Sequence, residues 1–306
     1  MENETKQKDF SLPASIIVST VILAMVWIYT ISPKDSQNQA QTQSQQKTSE
    51  GIVLPVRWGD LGKQMISAGV IDAKRFEEIY ANRGGLTKET KELLYGANNG
   101  NLKVTSENSG IILNLLWALG LGAKNNILEA GPMTQYGDTG NFASTGGWTI
   151  AQGGAMNHYS KHDFFKLTPE QQALVENVSK NIYRPCCNNP TYFPDCNHGM
   201  AMLGLLELLA SQGANEKQMY QAALAVNTLW FPEEYSTIAR YFASKNQTLS
   251  TVDPKEILGR DYSSIAGFRR ISALVPQTGS QGGGGGCGVD SGQPAVQQRR
   301  QSGCGI

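Results

Sequence analysis

No charge of either sign predominates in this chain. Its 306 residues carry Lys+Arg 26 against Asp+Glu 26, so neither a nucleic-acid partner nor a strongly charged substrate is indicated. The one basic pair near the end, Arg299-Arg300, is too small to change that. There is no Cys-x-x-Cys, which counts against an ordinary thioredoxin-like oxidoreductase. The glycine-rich runs neither follow a strand nor precede Lys-Ser, so a phosphate-binding loop of the P-loop kind is not indicated. Period-two apolar alternation is scarce, and residues 101–105 are the only stretch that reads as a strand.

Charge is also missing between Asp9 and Lys34. Residues 11–32 are apolar and long enough, at about 1.5 Å per residue, to cross a hydrocarbon layer of about 30 Å. This predicts a transmembrane anchor, with Trp27 and Tyr29 in an interfacial belt. Lys6 and Lys8 ahead of it, against the lone Lys34 in the dozen residues behind, place residues 1–10 in the cytoplasm. Thr30-Ile31-Ser32 supplies the small residues of a competing reading, a cleaved signal peptide. Residues 33–51 are a Gln/Ser/Thr-rich linker with nothing to bury, spanning roughly 20–25 Å as a flexible tether. In either case the body, residues 52–275, is expected outside the cytoplasm, where thiols meet oxidising conditions.

That body reads as mostly α, a single multi-helix globular domain. Thr168-Pro169-Glu170-Gln171 and Asp253-Pro254-Lys255-Glu256 each put a cap and a first-turn proline ahead of an apolar run. Asp72, Thr87, Ser106, Asn215 and Pro232 mark further helix starts, and Gly120 and Gly213 read as stops. Residues 130–154 hold seven glycines, too many for a helix interior, and are expected to form a long surface loop. Trp148 within it either covers a pocket or anchors its own loop. Residues 276–306 are Gly- and Gln-rich and expected to be disordered. They carry Gly286-Cys287-Gly288-Val289 and its echo Gly303-Cys304-Gly305-Ile306, two unhindered thiols suited to a disulfide-linked or metal-transferring protein partner.

Histidine is the rarest chemistry-bearing residue, and its placement is not scattered. All three histidines, and three of the five cysteines, fall between His158 and His198. The densest part is Cys186-Cys187-Asn188-Asn189-Pro190-Thr191-Tyr192-Phe193-Pro194-Asp195-Cys196-Asn197-His198. Three sulfurs and one imidazole suffice for a tetrahedral site suited to zinc or copper(I). Adjacent cysteines seldom both reach one ion, so one of Cys186 and Cys187 is expected to bind and the other to pack or pair. His158 and His162, four apart, would share a face in a helix and add two imidazoles. No glutamate follows His158, so a zinc-protease helix is excluded.

Residues 200–210 are apolar on every side and predict a buried helix whose N-terminus meets this cluster. The dipole there favours an anion, hence a thiolate on Cys196. Three readings follow. In the first, Cys186, Cys187, Cys196 and His198 bind a soft or borderline metal, with His158 and His162 as further ligands. In the second, a Cys186–Cys196 or Cys187–Cys196 disulfide staples a surface interaction protein, and His198 caps the helix. In the third, Cys196 is a nucleophile or redox thiol, with one of the histidines as base and Asp163 or Asp195 orienting it. Glu207, the only charge in the buried helix, is expected to pair with a lysine or arginine or to back a histidine. Met200, Met202, Trp117, Trp230 and Phe231 read as packing.

Overall fold

The structure is a computed structural model and describes residues 51–276. The anchor segment 11–32, most of the linker, and the tail with Cys287 and Cys304 lie outside the described residues. Among the described residues, no helix is long and apolar enough to cross a membrane.

The domain opens on a strand, β1 (Ile52–Gly59), whose Leu54, Val56 and Trp58 are buried while the residues between them face out. The strand is an addition to the sequence reading. Pro55 interrupts the run and cannot donate a ladder bond, which hides the alternation. Helices α1 (Leu61–Ser67), α2 (Ala73–Ala81) and α3 (Lys88–Tyr95) follow, and then β2 (Asn99–Val104), close to the expected strand. β2 pairs antiparallel with β1, Ile52 opposite Val104 and Gly59 opposite Asn99, with an irregularity around Pro55.

Helix starts fall largely where local chemistry dictates. Asp72 and Thr87 accept from the backbone N–H groups of Arg75 and Thr90 at the heads of α2 and α3. Such caps contribute about 1 kcal/mol each. After β2 the expected start at Ser106 is displaced to α4 (Ser109–Gly122), because Thr105 and Asn108 exchange side-chain-to-backbone hydrogen bonds and close a turn over those residues. Gly120 is not a stop. It lies inside α4, where an added Cβ would strike the carbonyl oxygen of Met200 on α8 (Asn197–Ser211). Gly204 of α8 faces it, and a Cβ there would sit 2.6 Å from the Gly120 nitrogen. The two glycines let the two most apolar helices run backbone to backbone, and this pair forms the centre of the main core.

Residues 130–154 are only in part a surface loop. They follow α5 (Asn126–Ala130) as short helical turns, including α6 (Ala143–Gly146), and carry Met133, Ser144, Thr145, Trp148 and Ile150 into the interior. Trp148 donates its indole N–H to Val70 O over 2.9 Å and packs edge-on against Trp117, which donates to Ser144 O over 2.7 Å. The tryptophan anchors its own loop.

Capping boxes open α7 (Pro169–Ser179), through Thr168 and Gln171, and α9 (Glu216–Trp230), through Asn215 and Gln218. Gly213 does end α8, adopting φ +82°. Then come α10 (Pro232–Ala243), α11 (Pro254–Ile257), α12 (Arg260–Ser263) and α13 (Ile265–Ser272). Phe231, Tyr235, Ile238, Phe242, Ile257 and Ile271 from this end build a second, smaller core, and Cys186 packs against it.

Candidate metal centre

The cysteine loop is held rigid by its backbone. Tyr183 N–H donates to Leu258 O, Ile265 N–H to Cys187 O, Ser144 N–H to Asp195 O and Thr191 N–H to Ile182 O. Asn227 adds a side-chain bond to Tyr183 O. The loop is thereby tied to α6, α9 and the α11–α13 segment at once.

Four predicted residues converge. No disulfide joins Cys186, Cys187 and Cys196 to one another. Cys196 Sγ lies 3.7 Å from Cys186 Sγ and 4.0 Å from Cys187 Sγ, and Cys186 Sγ lies 4.0 Å from His198 Nδ1. Cys196 is the N-cap of α8 with extended backbone, and its sulfur makes no capping bond, so it is turned inward rather than onto the helix. His198 therefore does not cap the helix. It sits in the first turn, half-buried, with its ring 4.5 Å from that of Phe231 and 5.8 Å from that of Trp230. Burial, with the nearby Arg184 charge, lowers its pKa to about 4 against the pull of Cys196. The imidazole is neutral at physiological pH, the form in which histidine ligates a metal.

The centre is organised by a residue that the cysteine and histidine pattern does not reveal, Arg184. It is 1% exposed and every arm is engaged. Nε donates to Cys196 Sγ over 3.0 Å, Nη1 to Asn189 O over 3.0 Å, and Nη2 to Asp195 Oδ1 over 3.0 Å and to Phe193 O over 3.5 Å. Burial works against its charge, but Cys187, Cys196, Cys186 and Asp195 outweigh that and hold its pKa well above the ordinary value. The one sequence signal for it is Gly199. An added Cβ there would strike Arg184 Nη2 and sit 2.6 Å from Cζ, so the guanidinium needs a glycine in the first turn of α8.

Asp195 has both oxygens occupied, Oδ1 by Arg184 and Oδ2 by Asn189 Nδ2 at 2.8 Å. It pairs with Arg184 rather than orienting a histidine. Burial raises its pKa, with Arg184 opposing. The Cys187 thiol is raised to about 12, because a hydrogen bond with Cys186 that lowers it is outweighed by the one with Cys196 and by burial.

Among the described residues, the groups of ligating atoms lying within 4.8 Å of one another are Cys186, Cys196 and His198, and Cys187, Asp195 and Cys196. Cys196 belongs to both. Donor atoms around a tetrahedral zinc with bonds of about 2.3 Å to sulfur stand about 3.8 Å apart. The two sulfur–sulfur spacings, 3.7 Å and 4.0 Å, are close to that edge length, while Cys187 and His198 fall in different groups. The cluster has the composition and compactness to hold a metal ion.

His158 and His162 are brought together, but not on a helix and not in either group. Between them Ser160 takes φ +52°, and His162 N–H donates to Gly122 O, which fixes the segment as a turn against the end of α4. His158 Nδ1 and His162 Nε2 stand 3.1 Å apart. Burial, then the neighbouring His158, lower the pKa of His162. Asp163 is exposed.

Glu207 has none of its expected partners. It is 0% exposed, both carboxylate oxygens lack a hydrogen-bond partner, and burial raises its pKa well above the ordinary value, with only Asn125 opposing. Met200 and Met202 are core residues.

Comparison with protein-family models, with curated proteins and with solved structures gives no match. The class of protein is therefore defined by its own fold and site: a predominantly helical domain with a buried cysteine–histidine cluster organised by an arginine.

Proposed function

We propose that this protein binds a soft or borderline metal ion, zinc or copper(I), through Cys186, Cys196 and His198, with Cys187 as the fourth ligand. The observation that carries the reading is the placement of Cys186 Sγ at 3.7 Å from Cys196 Sγ and 4.0 Å from His198 Nδ1, three ligating atoms within 4.8 Å of one another. Charge supports it. Arg184 and Asp195 neutralise each other, so a bound cation would be the charge that allows thiolates at the three cysteines. The N–H from Arg184 to Cys196 then offsets part of the excess negative charge of a multi-thiolate complex. The sequence of residues 11–32 extends the reading to a membrane-anchored, extracytoplasmic binder, with the tail thiols Cys287 and Cys304 passing metal to or from a partner. Elemental analysis of the full chain, purified anaerobically, tests it. Stoichiometric zinc or copper that is lost on Cys196→Ser supports binding here, and no bound metal refutes it.

The same geometry supports a second reading, thiol–disulfide exchange. Cys196 lies within 4.0 Å of two other sulfurs and needs to move less than 2 Å toward either to reach a bond of about 2.05 Å. Oxidation of the metal-free protein by a glutathione disulfide pool, followed by mass mapping, checks it: a Cys186–Cys196 or Cys187–Cys196 bridge is expected, and persistent free thiols refute it.

A further inference from the structure

The histidine pair away from the cysteines has geometry that packing alone does not require. His158 is buried, and its Nε2 lies 2.9 Å from Gln152 O. A carbonyl oxygen only accepts, so that nitrogen carries the proton. In a neutral ring the proton on Nε2 leaves Nδ1 as an acceptor. With both rings neutral, its partner at 3.1 Å, His162 Nε2, is the donor. The ring centroids are 5.3 Å apart with the planes 27° from parallel, which is the separation of two rings joined edge to edge by that bond rather than stacked face to face. The chain of bonds runs from Gln152 O through His158 to His162 and leaves His162 Nδ1 unprotonated.

This arrangement is held from several sides. Ser160, a buried non-glycine residue with positive φ, sits between the two histidines, a conformation that persists only where the surroundings enforce it. Ser160 N–H donates to Leu121 O, Lys161 and His162 N–H both donate to Gly122 O, and Lys124 N–H donates to His162 O. Gly69, at φ +76°, leaves room for the His158 ring, since an added Cβ would lie 3.2 Å from its Cε1. His162 packs on Phe164 and lines an open cleft of about 540 Å³ together with Lys63, Gln64, Ser67 and Lys161. Lys63 and Lys161 are exposed on its margin and Asp163 is the one acidic residue lining it.

We infer that this cleft is a binding site for a small oxyanion that keeps an ionisable hydroxyl at neutral pH, of the inorganic phosphate class. The ligand hydroxyl donates to His162 Nδ1, and its anionic oxygens are neutralised by Lys63 and Lys161, which outnumber Asp163. Neither lysine nor the His162 ring belongs to the cysteine cluster, so the inference is independent of metal binding.

The test uses the full chain labelled with 15N-histidine in phosphate-free buffer, read by long-range 1H–15N correlation. The expected result is that His158 and His162 both carry the proton on Nε2. Inorganic phosphate, added at constant ionic strength, should then shift the His162 Nδ1 resonance saturably. Sulfate, which has no ionisable hydroxyl at neutral pH, should act far more weakly. Exposed-site substitution K63Q with K161Q should weaken the phosphate response about tenfold or more, as expected for removing charge-assisted contacts. A proton on His162 Nδ1, a response to phosphate that does not saturate, an equal response to sulfate, or an unchanged affinity in the lysine variant would each overturn it.

Discussion

Arg184 Nε donates to Cys196 Sγ over 3.0 Å at a point where neither side chain meets solvent. The bond links the loop that carries Cys186 and Cys187 to the first turn of the helix that carries Cys196 and His198. It places a fixed positive charge behind the one sulfur shared by both ligand groups.

Removing Arg184 should therefore damage folding as well as binding. Arg184→Ala leaves Asp195 buried without its partner, and loss of one member of such a pair costs about 3–5 kcal/mol. Urea denaturation of the metal-free protein measures this. Arg184→Lys should recover only part of it, because an ammonium cannot reach Cys196, Asn189 O, Phe193 O and Asp195 together. Equal stability of the Lys variant and the wild type would show that the fork geometry is unimportant.

Gly199 makes a sharper test of the same contact. Alanine is ordinarily the better helix former by about 1 kcal/mol. Gly199→Ala is nonetheless expected to lower stability by roughly 1–3 kcal/mol, since its Cβ would displace the guanidinium. A rise in melting temperature would contradict the packing described here.

The buried Glu207 sets a pH dependence. Its pKa in the folded chain is raised above the ordinary 4.5, so folding takes up a proton between those two values. The stability it contributes is fully present below about 4.5 and declines as pH rises toward the folded pKa. Glu207→Gln removes the ionisation, so it should flatten that decline and be the more stable form at alkaline pH. Parallel chemical-denaturation series from acid to alkaline pH read this directly, and identical pH slopes would refute it.

Within the cluster, substitutions should not be equivalent. Cys196→Ser interrupts both ligand groups and should abolish metal retention, whereas Cys187→Ser leaves Cys186, Cys196 and His198 in place and should only weaken it. Competition against a chromophoric chelator ranks the two variants, and a larger loss for Cys187→Ser would reverse the assignment of the central ligand.

These outcomes separate what was legible along the chain from what was not. The caps at Asp72, Thr87, Thr168 and Asn215 could be read because each is a local bond between a side chain and a backbone group three residues on. The cysteine–histidine cluster was legible for the same reason, as its members lie within thirteen residues. Gly120 was misread because its role depends on a helix eighty residues later, and the partial burial of residues 130–154 depends on Trp148 reaching Val70. Arg184 gave no pattern of its own. Its function exists only once the loop folds back on α8. Likewise, helical spacing suggested that His158 and His162 would share a ligand face, but Ser160 turns the chain and joins the rings to each other instead.

The most direct measurement of the central claim is X-ray absorption at the metal edge of the purified full chain. The account requires a shell of two to three sulfur atoms at about 2.3 Å and one nitrogen at about 2.0–2.1 Å for zinc, with sulfur scattering lost in Cys196→Ser. A shell of oxygen and nitrogen alone, or one unchanged by Cys196→Ser, would contradict it.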